Sequence, residues 1–195
     1  MAFAYHLVFS CYGFWLPNDP RGSWSIYVGS RELFEYGDAT KVRTRRSLAH
    51  EEHDRNARMT AKEAMQFQPV VLTGIQARAV GRGIAKAAYE SDYVVFACCI
   101  MPDHVHLVVK IQSRHPKQMI GHFKARATQR LSKENLYPIA EACPESPWSR
   151  GGWCVYIDTS EQLSQAIRYV NENPVREKFP RQSWSFVYAK NKDKS

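Results

Sequence analysis

The chain has 195 residues, and its hydrophobic content of 44% with 12% aromatics is typical of a globular protein and excludes a disordered one. The formal charge is +8 and the sequence pI about 9.3, which favours an anionic partner such as nucleic acid or a membrane surface. The five cysteines form no CxxC pair, which argues against a disulfide framework or a zinc knuckle. The N-terminal stretch lacks signal-peptide features, and no apolar run approaches the roughly 20 residues of a membrane span. We therefore expect a cytoplasmic protein.

Strand and helix patterns alternate along the chain. In chain order, the sequence predicts a strand over 4–12, an excursion over 13–69, a helix over 70–89, strands over 93–100 and 104–111, a basic helix over 116–134, a strand over 153–158, and a helix that begins at Thr159 or Ser160 and is ended or kinked by Pro174.

The order of these elements predicts the fold class. The first strand and the five regular elements after the excursion follow the order βαββαβ, which is the ferredoxin-like plan of an antiparallel α+β sheet with helices. We expect one domain over 1–195, with 13–69 as an insertion and 181–195 as a tail. A final helix follows the βαββαβ unit and carries a tyrosine.

Two histidines flank one valine in the segment "MPDHVHLVVK". Because side chains alternate along a strand, the apolar positions from Val105 to Ile111 form the core face, and His104 and His106 point together to the other face, away from the helix-packed core. Two imidazoles on one face can converge on one metal ion, although ordinary surface histidines remain the alternative. Asp103 points elsewhere by the same alternation, so a third ligand must come from another element.

The last predicted helix has an apolar stripe and one aromatic residue beside it. The stripe consists of Leu163, Ala166, Ile167 and Val170. At about 100° per residue, Tyr169 and Asn173 lie together off this stripe, because they are one turn apart. Tyr169 is therefore either a candidate functional side chain or an ordinary tyrosine at the boundary of an amphipathic helix.

These motifs together resemble a known family. "MPDHVHLVV" followed by "AIRYVNENPVREK" is similar to the REP-associated tyrosine transposases, relatives of the single-tyrosine insertion-sequence transposases within the HUH endonuclease superfamily. HUH denotes two histidines around one bulky apolar residue, which residues 104–106 match. Tyr169 and residues 173–176 (Asn-Pro-Val-Arg) match the helix signature. "YHLVFSCYG" resembles the family's first strand, so the resemblance covers roughly 5–12 and 70–178.

The resemblance implies a metal-dependent endonuclease and strand transferase for single-stranded DNA, which cleaves beside hairpins through a 5′-phosphotyrosine intermediate. Tyr169 would be the nucleophile, and His104 and His106 would hold magnesium or manganese. Asn173 aligns with the position that supplies a third, amide ligand in relatives. Histidine favours borderline metals and magnesium prefers oxygen, so the choice of ion stays open. The implied substrate class is a small REP-like hairpin with a short single-stranded guide.

Basic and aromatic residues indicate a DNA-binding surface, because phosphate neutralisation dominates affinity and aromatic rings stack on unpaired bases. The predicted DNA-binding residues are Arg43, Arg45, Arg46, Lys117, Lys124, Arg126, Arg130, Trp148, Arg150 and Arg176. A solvated basic face is the alternative for the charged residues, and core packing is the alternative for each tryptophan.

Two other functions remain open at this point. The same fold can serve as a catalytically silent module that binds structured DNA or RNA, and His104 and His106 can bind zinc in a hydrolase unrelated to DNA.

Insertion-sequence relatives exchange the tyrosine helix between two subunits. Because the tail after Pro180 offers no obvious helix to exchange, we expect a monomer in which Tyr169 acts in cis, with a dimer as the alternative.

Overall fold

The described part of the chain is extensive but not continuous. A computed structural model describes residues 3–14, 56, 59–60, 63–65, 67–138 and 146–188. Most of the predicted insertion over 13–69 and the end of the predicted tail lie outside these residues. Within the described ranges, none of the helices has the length and hydropathy of a bilayer-spanning segment.

Strands and helices follow the predicted order. The elements are β1 (Ala4–Ser10), α1 (Gly74–Glu90), β2 (Val95–Ile100), β3 (His104–Lys110), α2 (Pro116–Lys133), β4 (Trp153–Ile157) and α3 (Ser160–Arg176). The four strands form one sheet in the order β2-β3-β1-β4. β1 pairs antiparallel with β4, and β2 pairs antiparallel with β3, with a register irregularity between Val95 and Ala97. The predicted ferredoxin-like α+β fold is confirmed.

Helix α1 begins later than the sequence predicts. Thr73 is its N-cap, and the Thr73 and Gln76 side chains each bond the other's backbone N–H, which satisfies two of the free donors at the helix start. Residues 70–72 therefore precede the helix. Val71 and Ile75 are both more than half exposed.

Two glycines inside α1 mark close packing. A Cβ at Gly83 would lie 2.5 Å from the Cα of Ala127 on α2, so the two helix backbones approach each other directly there. A Cβ at Gly81 would lie 2.2 Å from the Trp184 ring. Both glycines weaken the helix locally, and in return they allow contacts that any side chain would block.

The sheet has a helical layer on each face. On one face, Leu7, Phe9 and Leu107 are fully buried, and Phe9 contacts Lys124 of α2. On the other face, α3 covers a second apolar cluster. Its buried members are Ala4, Ala97, Cys99, Met101, Val108, Ile157 and Val170. The face to which His104 and His106 point is therefore packed against α3.

Helix α3 continues through Pro174 and ends two residues later at Arg176. Phe179 N–H donates to the Pro174 carbonyl at 2.7 Å, and Lys178 N–H donates to the Val175 carbonyl at 3.0 Å. Lys178 has φ +63, so these bonds form a Schellman motif with lysine at the position where glycine is common. The helix is ended by this motif and not by the proline.

The C-terminal segment runs along the outer edge of β2. The Gln182 amide accepts from the Ile100 N–H at 2.8 Å and donates to the Ile100 carbonyl at 2.7 Å. Further on, Tyr188 N–H donates to the Val95 carbonyl at 2.7 Å. Trp184 lies over Gly81 between these two points. Residues 182–188 thus pair with both ends of the β2 edge.

The chain divides into two compact units. The first comprises residues 1–9, 72–137 and 152–195, and the second comprises 10–71 and 138–151. In the described part of the second unit, Tyr12 N–H donates to the Pro147 carbonyl at 2.9 Å, and Val70 N–H donates to the Tyr12 carbonyl at 3.0 Å. Gly13 has φ +78 and lies against Met65, so a side chain at this position would be strained.

Candidate active site

The two predicted histidines share one face at the start of β3. The ring centroids of His104 and His106 lie 4.7 Å apart, with planes at 86°. His106 retains 7% of its exposure, because α3 covers this face. The alternation argument therefore gives the right direction for both side chains, but the pair lies under a helix instead of on an open surface.

Asp103 does not point away from the site, which corrects the expectation from alternation. β3 begins at His104, so Asp103 still belongs to the turn and is free of the strand's alternation. Its Oδ1 lies 2.7 Å from His104 Nδ1. A carboxylate at this distance accepts the ring N–H, which fixes the ring's orientation and leaves Nε2 to face other groups.

His6 is a site residue that lies outside both sequence motifs. Its Nε2 lies 3.0 Å from His106 Nδ1, and the two ring centroids are 5.1 Å apart. His6 lies on β1, the neighbour of β3 in the sheet. The signal was available, because in "YHLVF" alternation places His6 opposite to the buried Leu7, and the ferredoxin-like strand order places β1 beside β3.

Helix α3 brings Tyr169 over these rings. The Tyr169 ring meets His106 edge-on, with centroids 5.6 Å apart, and meets His6 at 5.9 Å. Val170, the next residue, is fully buried in the apolar cluster and anchors this turn of the helix. The side chain of Tyr169 is still 41% exposed, so the ring packs on the histidines at one edge and can be reached by a substrate.

Asn173 lies one turn after Tyr169 and is 8% exposed. Its side chain hydrogen-bonds the Tyr169 hydroxyl, and this bond partly opposes the rise in the pKa of Tyr169 that burial causes. Its Oδ1 is buried and has no hydrogen-bond partner, so the amide N–H group must make the bond to tyrosine. A buried carbonyl oxygen without a partner is costly, and it is a ready ligand for a cation.

Burial changes the protonation behaviour of the site. Burial lowers the pKa of His6 to about 4. Burial and then the nearby His104 and His6 lower the pKa of His106 well below its usual value. Burial also raises the pKa of Tyr169, against the opposing effects of Asn173 and Arg176. His6 and His106 are therefore neutral at pH 7, and neutral imidazole is the form that ligates metals.

The donor set fits a divalent ion of borderline or hard character. His104 and His106 both have Nδ1 engaged, so each would present Nε2, and Asn173 would add an oxygen. Among the described residues, no three His, Cys, Asp or Glu side chains are grouped to hold an ion. This agrees with the site's composition, because the third imidazole is bonded to His106 and the remaining donor is an amide.

Two of the four predicted basic residues on α2 form ion pairs with carboxylates. Arg126 Nε contacts Glu90 at 2.5 Å, and Arg130 forms an ion pair with Glu134. Lys124 Nζ lies over the Phe9 ring at 5.7 Å, whereas Lys117 is exposed. The helix therefore carries less uncompensated positive charge than its sequence indicates.

The remaining predicted DNA-binding residues differ in accessibility. Trp148 is only 5% exposed, which favours core packing, the alternative to base stacking for this residue. Arg150 and Arg176 are both exposed. The guanidinium carbon of Arg176 lies 5.8 Å from the centroid of the Tyr169 ring, and Nη2 donates to Glu172 at 2.8 Å. The segment with Arg43, Arg45 and Arg46 lies outside the described residues.

The fold and site define a class: a ferredoxin-like α+β protein in which a tyrosine helix covers a histidine pair. The family model described as "Transposase IS200 like" matches residues 65–173, more than half of the chain. The chain therefore belongs to the IS200-like transposase family, which confirms the expected relationship to the single-tyrosine insertion-sequence transposases. His6 lies before the matched range.

Several solved protein chains are similar to this one. One of them is the REP-associated tyrosine transposase bound to a REP hairpin, which is 12% identical, with coverage of 92% of this chain and 70% of that chain and a TM-score of 0.49. No curated protein sequence matches the chain.

Proposed function

We propose that the protein is a metal-dependent endonuclease and strand transferase for single-stranded DNA, in which Tyr169 is the nucleophile. The observation that carries the proposal is that three side chains from two distant parts of the sequence lie close together. His104 and His106 come from β3, and Tyr169 comes from α3, with its ring centroid 5.6 Å from that of His106. Family membership supports the same chemistry.

The reaction needs an activated tyrosine. In the first step, the Tyr169 hydroxyl oxygen forms a bond to phosphorus and its proton passes to solvent. The bond from phosphorus to the 3′-oxygen breaks, and the 3′-oxygen takes up a proton. The products are a 5′-phosphotyrosine link and a free 3′-hydroxyl. Attack by a 3′-hydroxyl on that link reverses the step and joins strands without ATP, as in other covalent catalysis.

The side chains around Tyr169 favour this step. The hydroxyl is a weak nucleophile at pH 7, since tyrosine has a pKa of about 10 and burial raises it further. Asn173 donates to the hydroxyl oxygen, and Arg176 lies beside the ring, so both stabilise negative charge that develops there. Glu172, one turn earlier on α3, accepts a hydrogen bond from Arg176. Arg176 can exchange this partner for a phosphate of the DNA.

A divalent ion, magnesium or manganese, is the proposed cofactor, with His104, His106 and Asn173 as its ligands. When bound, it would act as a Lewis acid and clamp on the scissile phosphate. The observation that supports Asn173 is its buried, unpartnered Oδ1, which a cation would satisfy. Imidazole and amide ligands together suit manganese at least as well as magnesium.

The proposed substrate is single-stranded DNA beside a REP-like hairpin. The support is the motif similarity to the REP-associated branch, together with the basic charge of +8. Of the predicted DNA-binding residues that the structure describes, Lys117, Arg150 and Arg176 are exposed and can meet phosphates. The arrangement of Tyr169 and His106 within one chain supports a monomer that acts in cis.

The deciding test is covalent capture of DNA. Wild-type protein, Tyr169→Phe and the matched control Tyr89→Phe are incubated with hairpin oligonucleotides and manganese, and then run on a denaturing protein gel. We expect a shifted protein–DNA band for the wild type and for Tyr89→Phe, because Tyr89 is 87% exposed on α1. Tyr169→Phe should form no such band and should still bind the hairpin.

Two results would redirect the proposal. A band that persists in Tyr169→Phe would mean that another residue is the nucleophile. Tight, salt-sensitive binding of the same hairpins with no band in any variant would favour a silent module that binds structured DNA or RNA.

A further inference from the structure

We infer that His6 is a positioning residue for the metal site: it accepts a hydrogen bond from His106 and thereby fixes the tautomer that leaves His106 Nε2 free for the ion. This inference rests on the proposed function, because it assigns a role to His6 in metal binding. His6 lies on β1, far in sequence from the histidine pair and outside the range matched by the family model.

The contact is well defined. His6 Nε2 and His106 Nδ1 are 3.0 Å apart, which is a normal hydrogen-bond distance. The two strands are neighbours in the sheet, so the contact is built into the backbone pairing and does not depend on a flexible loop. His106 is 7% exposed, so water has little access to replace this partner.

The hydrogen bond between these two nitrogens contains one proton. The residue that donates this proton decides whether His106 can bind an ion. If His6 donates, neutral His106 carries its proton on Nε2, which then has no lone pair for a metal. If His106 donates from Nδ1, Nε2 is free, and His6 must carry its own proton on Nδ1. Binding of an ion at His106 therefore requires His6 to be the acceptor.

The neighbouring histidine shows the same arrangement with a different acceptor. His104 Nδ1 lies 2.7 Å from the Asp103 carboxylate. Both members of the pair thus have Nδ1 engaged and Nε2 directed elsewhere. Metal-bound histidines usually donate their second ring nitrogen to a carboxylate, carbonyl or water, and loss of that partner typically weakens metal affinity by about 10- to 100-fold.

The acceptor at His106 is neutral, which has a physical reason. His106 is more buried than His104, and a carboxylate buried beside it would be costly without a cationic partner. A second imidazole supplies one acceptor lone pair without bringing a charge into the sheet. His6 also packs against the Tyr169 ring at 5.9 Å, so it contacts the nucleophile's side chain and the ligand's side chain at once.

The first experiment measures Mn²⁺ binding to DNA-free full-length protein by calorimetry. His6→Leu removes the acceptor and should weaken Mn²⁺ affinity by about 10- to 100-fold. His6→Gln keeps an oxygen that can accept the Nδ1 proton and should recover most of the loss. His122→Gln, the same change on α2, is the matched control and should leave the affinity unchanged.

A cleavage assay gives a second readout. The Mn²⁺ concentration for half-maximal cleavage should rise in His6→Leu by the same factor as the dissociation constant, with the rate at saturating Mn²⁺ changing much less. An equal loss of rate at all Mn²⁺ concentrations would overturn the positioning role and indicate a structural one.

A third measurement needs no variant. Long-range ¹H–¹⁵N spectra of the Mg²⁺-saturated wild type report which ring nitrogen carries each proton. We expect His106 protonated on Nδ1 and His6 protonated on Nδ1. A proton on His106 Nε2 would overturn the inference, even if His6→Leu did not fold.

The outcomes separate this inference from the proposed function. If wild-type protein does not bind Mn²⁺, or binds it equally well after His104→Ala, the metal site itself is wrong. If wild type binds through His104 and His6→Leu binds equally well, only the role of His6 is wrong. Pulsed electron spin resonance that shows three directly bound imidazoles, with two left in His6→Gln, would make His6 a ligand and also contradict the inference.

Discussion

The two faces of the sheet are both covered by helices, yet they differ in what they bury. Among the residues that the structure describes, the face under α1 and α2 buries apolar side chains such as Leu7, Phe9 and Leu107. The face under α3 has an apolar cluster, and beside it lie buried His106 and Asn173.

The difference shows how the two faces of one sheet separate apolar packing from buried polar groups. Alternation along β3 sends Leu107 to one face and His106 to the other, so a single strand serves both layers. The first face contributes most to folding. The second face carries buried polar groups that cost stability, including one oxygen without a partner.

The largest effect is expected on the apolar face. Leu107→Ala should lower the free energy of unfolding by about 3 kcal/mol, because it leaves a cavity where the side chain is fully buried. Chemical denaturation measures this loss. Covalent capture of DNA per folded molecule should not change. A loss of capture in the folded fraction would show that the two faces are coupled.

Acid should weaken the histidine face selectively. The pKa of His6 is about 4 in the folded protein, below its ordinary value of 6.5, so between these values the unfolded chain binds more protons. Stability should therefore fall as the pH drops from 6.5 to 4, by up to about 3 kcal/mol from His6. Metal-free unfolding curves at several pH values measure the slope. His6→Gln should flatten it, and an unchanged slope in that variant would assign the effect to other groups.

Asn173 should separate activity from stability. Asn173→Leu has a similar shape and removes the unpartnered oxygen, so the free energy of unfolding should rise by about 1 kcal/mol. Covalent capture should fall by about 100-fold, equivalent to about 2.7 kcal/mol in the barrier. Gel quantification and denaturation test both parts. Asn171→Leu, exposed on the same helix, is the control and should leave capture unchanged.

The smallest effect concerns the end of α3. Lys178→Gly should raise the free energy of unfolding by less than about 1 kcal/mol, because glycine adopts the positive φ of this position without strain. Thermal unfolding measures the gain. Lys178→Ala keeps the strain, so a gain of the same size in that variant would point to lost charge instead of backbone conformation.

The sequence predicted the element order and the direction of the key side chains because both follow from local periodicity. The alternation at His104 and His106, and the one-turn spacing of Tyr169 and Asn173, depend only on strand and helix geometry. These residues do meet in the structure. Their roles as nucleophile and ligands stay predictions.

The contacts that the sequence did not predict join residues whose approach no local pattern determines. His6 reaches His106 only because β1 and β3 become neighbours in the sheet. Asp103 escapes alternation because the strand starts one residue later. The sequence predicts an exposed basic helix, but Arg126 on this helix pairs with Glu90, 36 residues away along the chain.

The segment that follows α3 has a consequence for how molecules of this protein meet each other. A strand at the edge of a sheet offers a row of unpaired backbone groups, which is a template for aggregation. Here Gln182 occupies both backbone groups of Ile100, and Tyr188 occupies the Val95 carbonyl. The tail therefore covers the β2 edge. At concentrations where an open edge would pair with a second chain, this cover keeps folded molecules from aggregating.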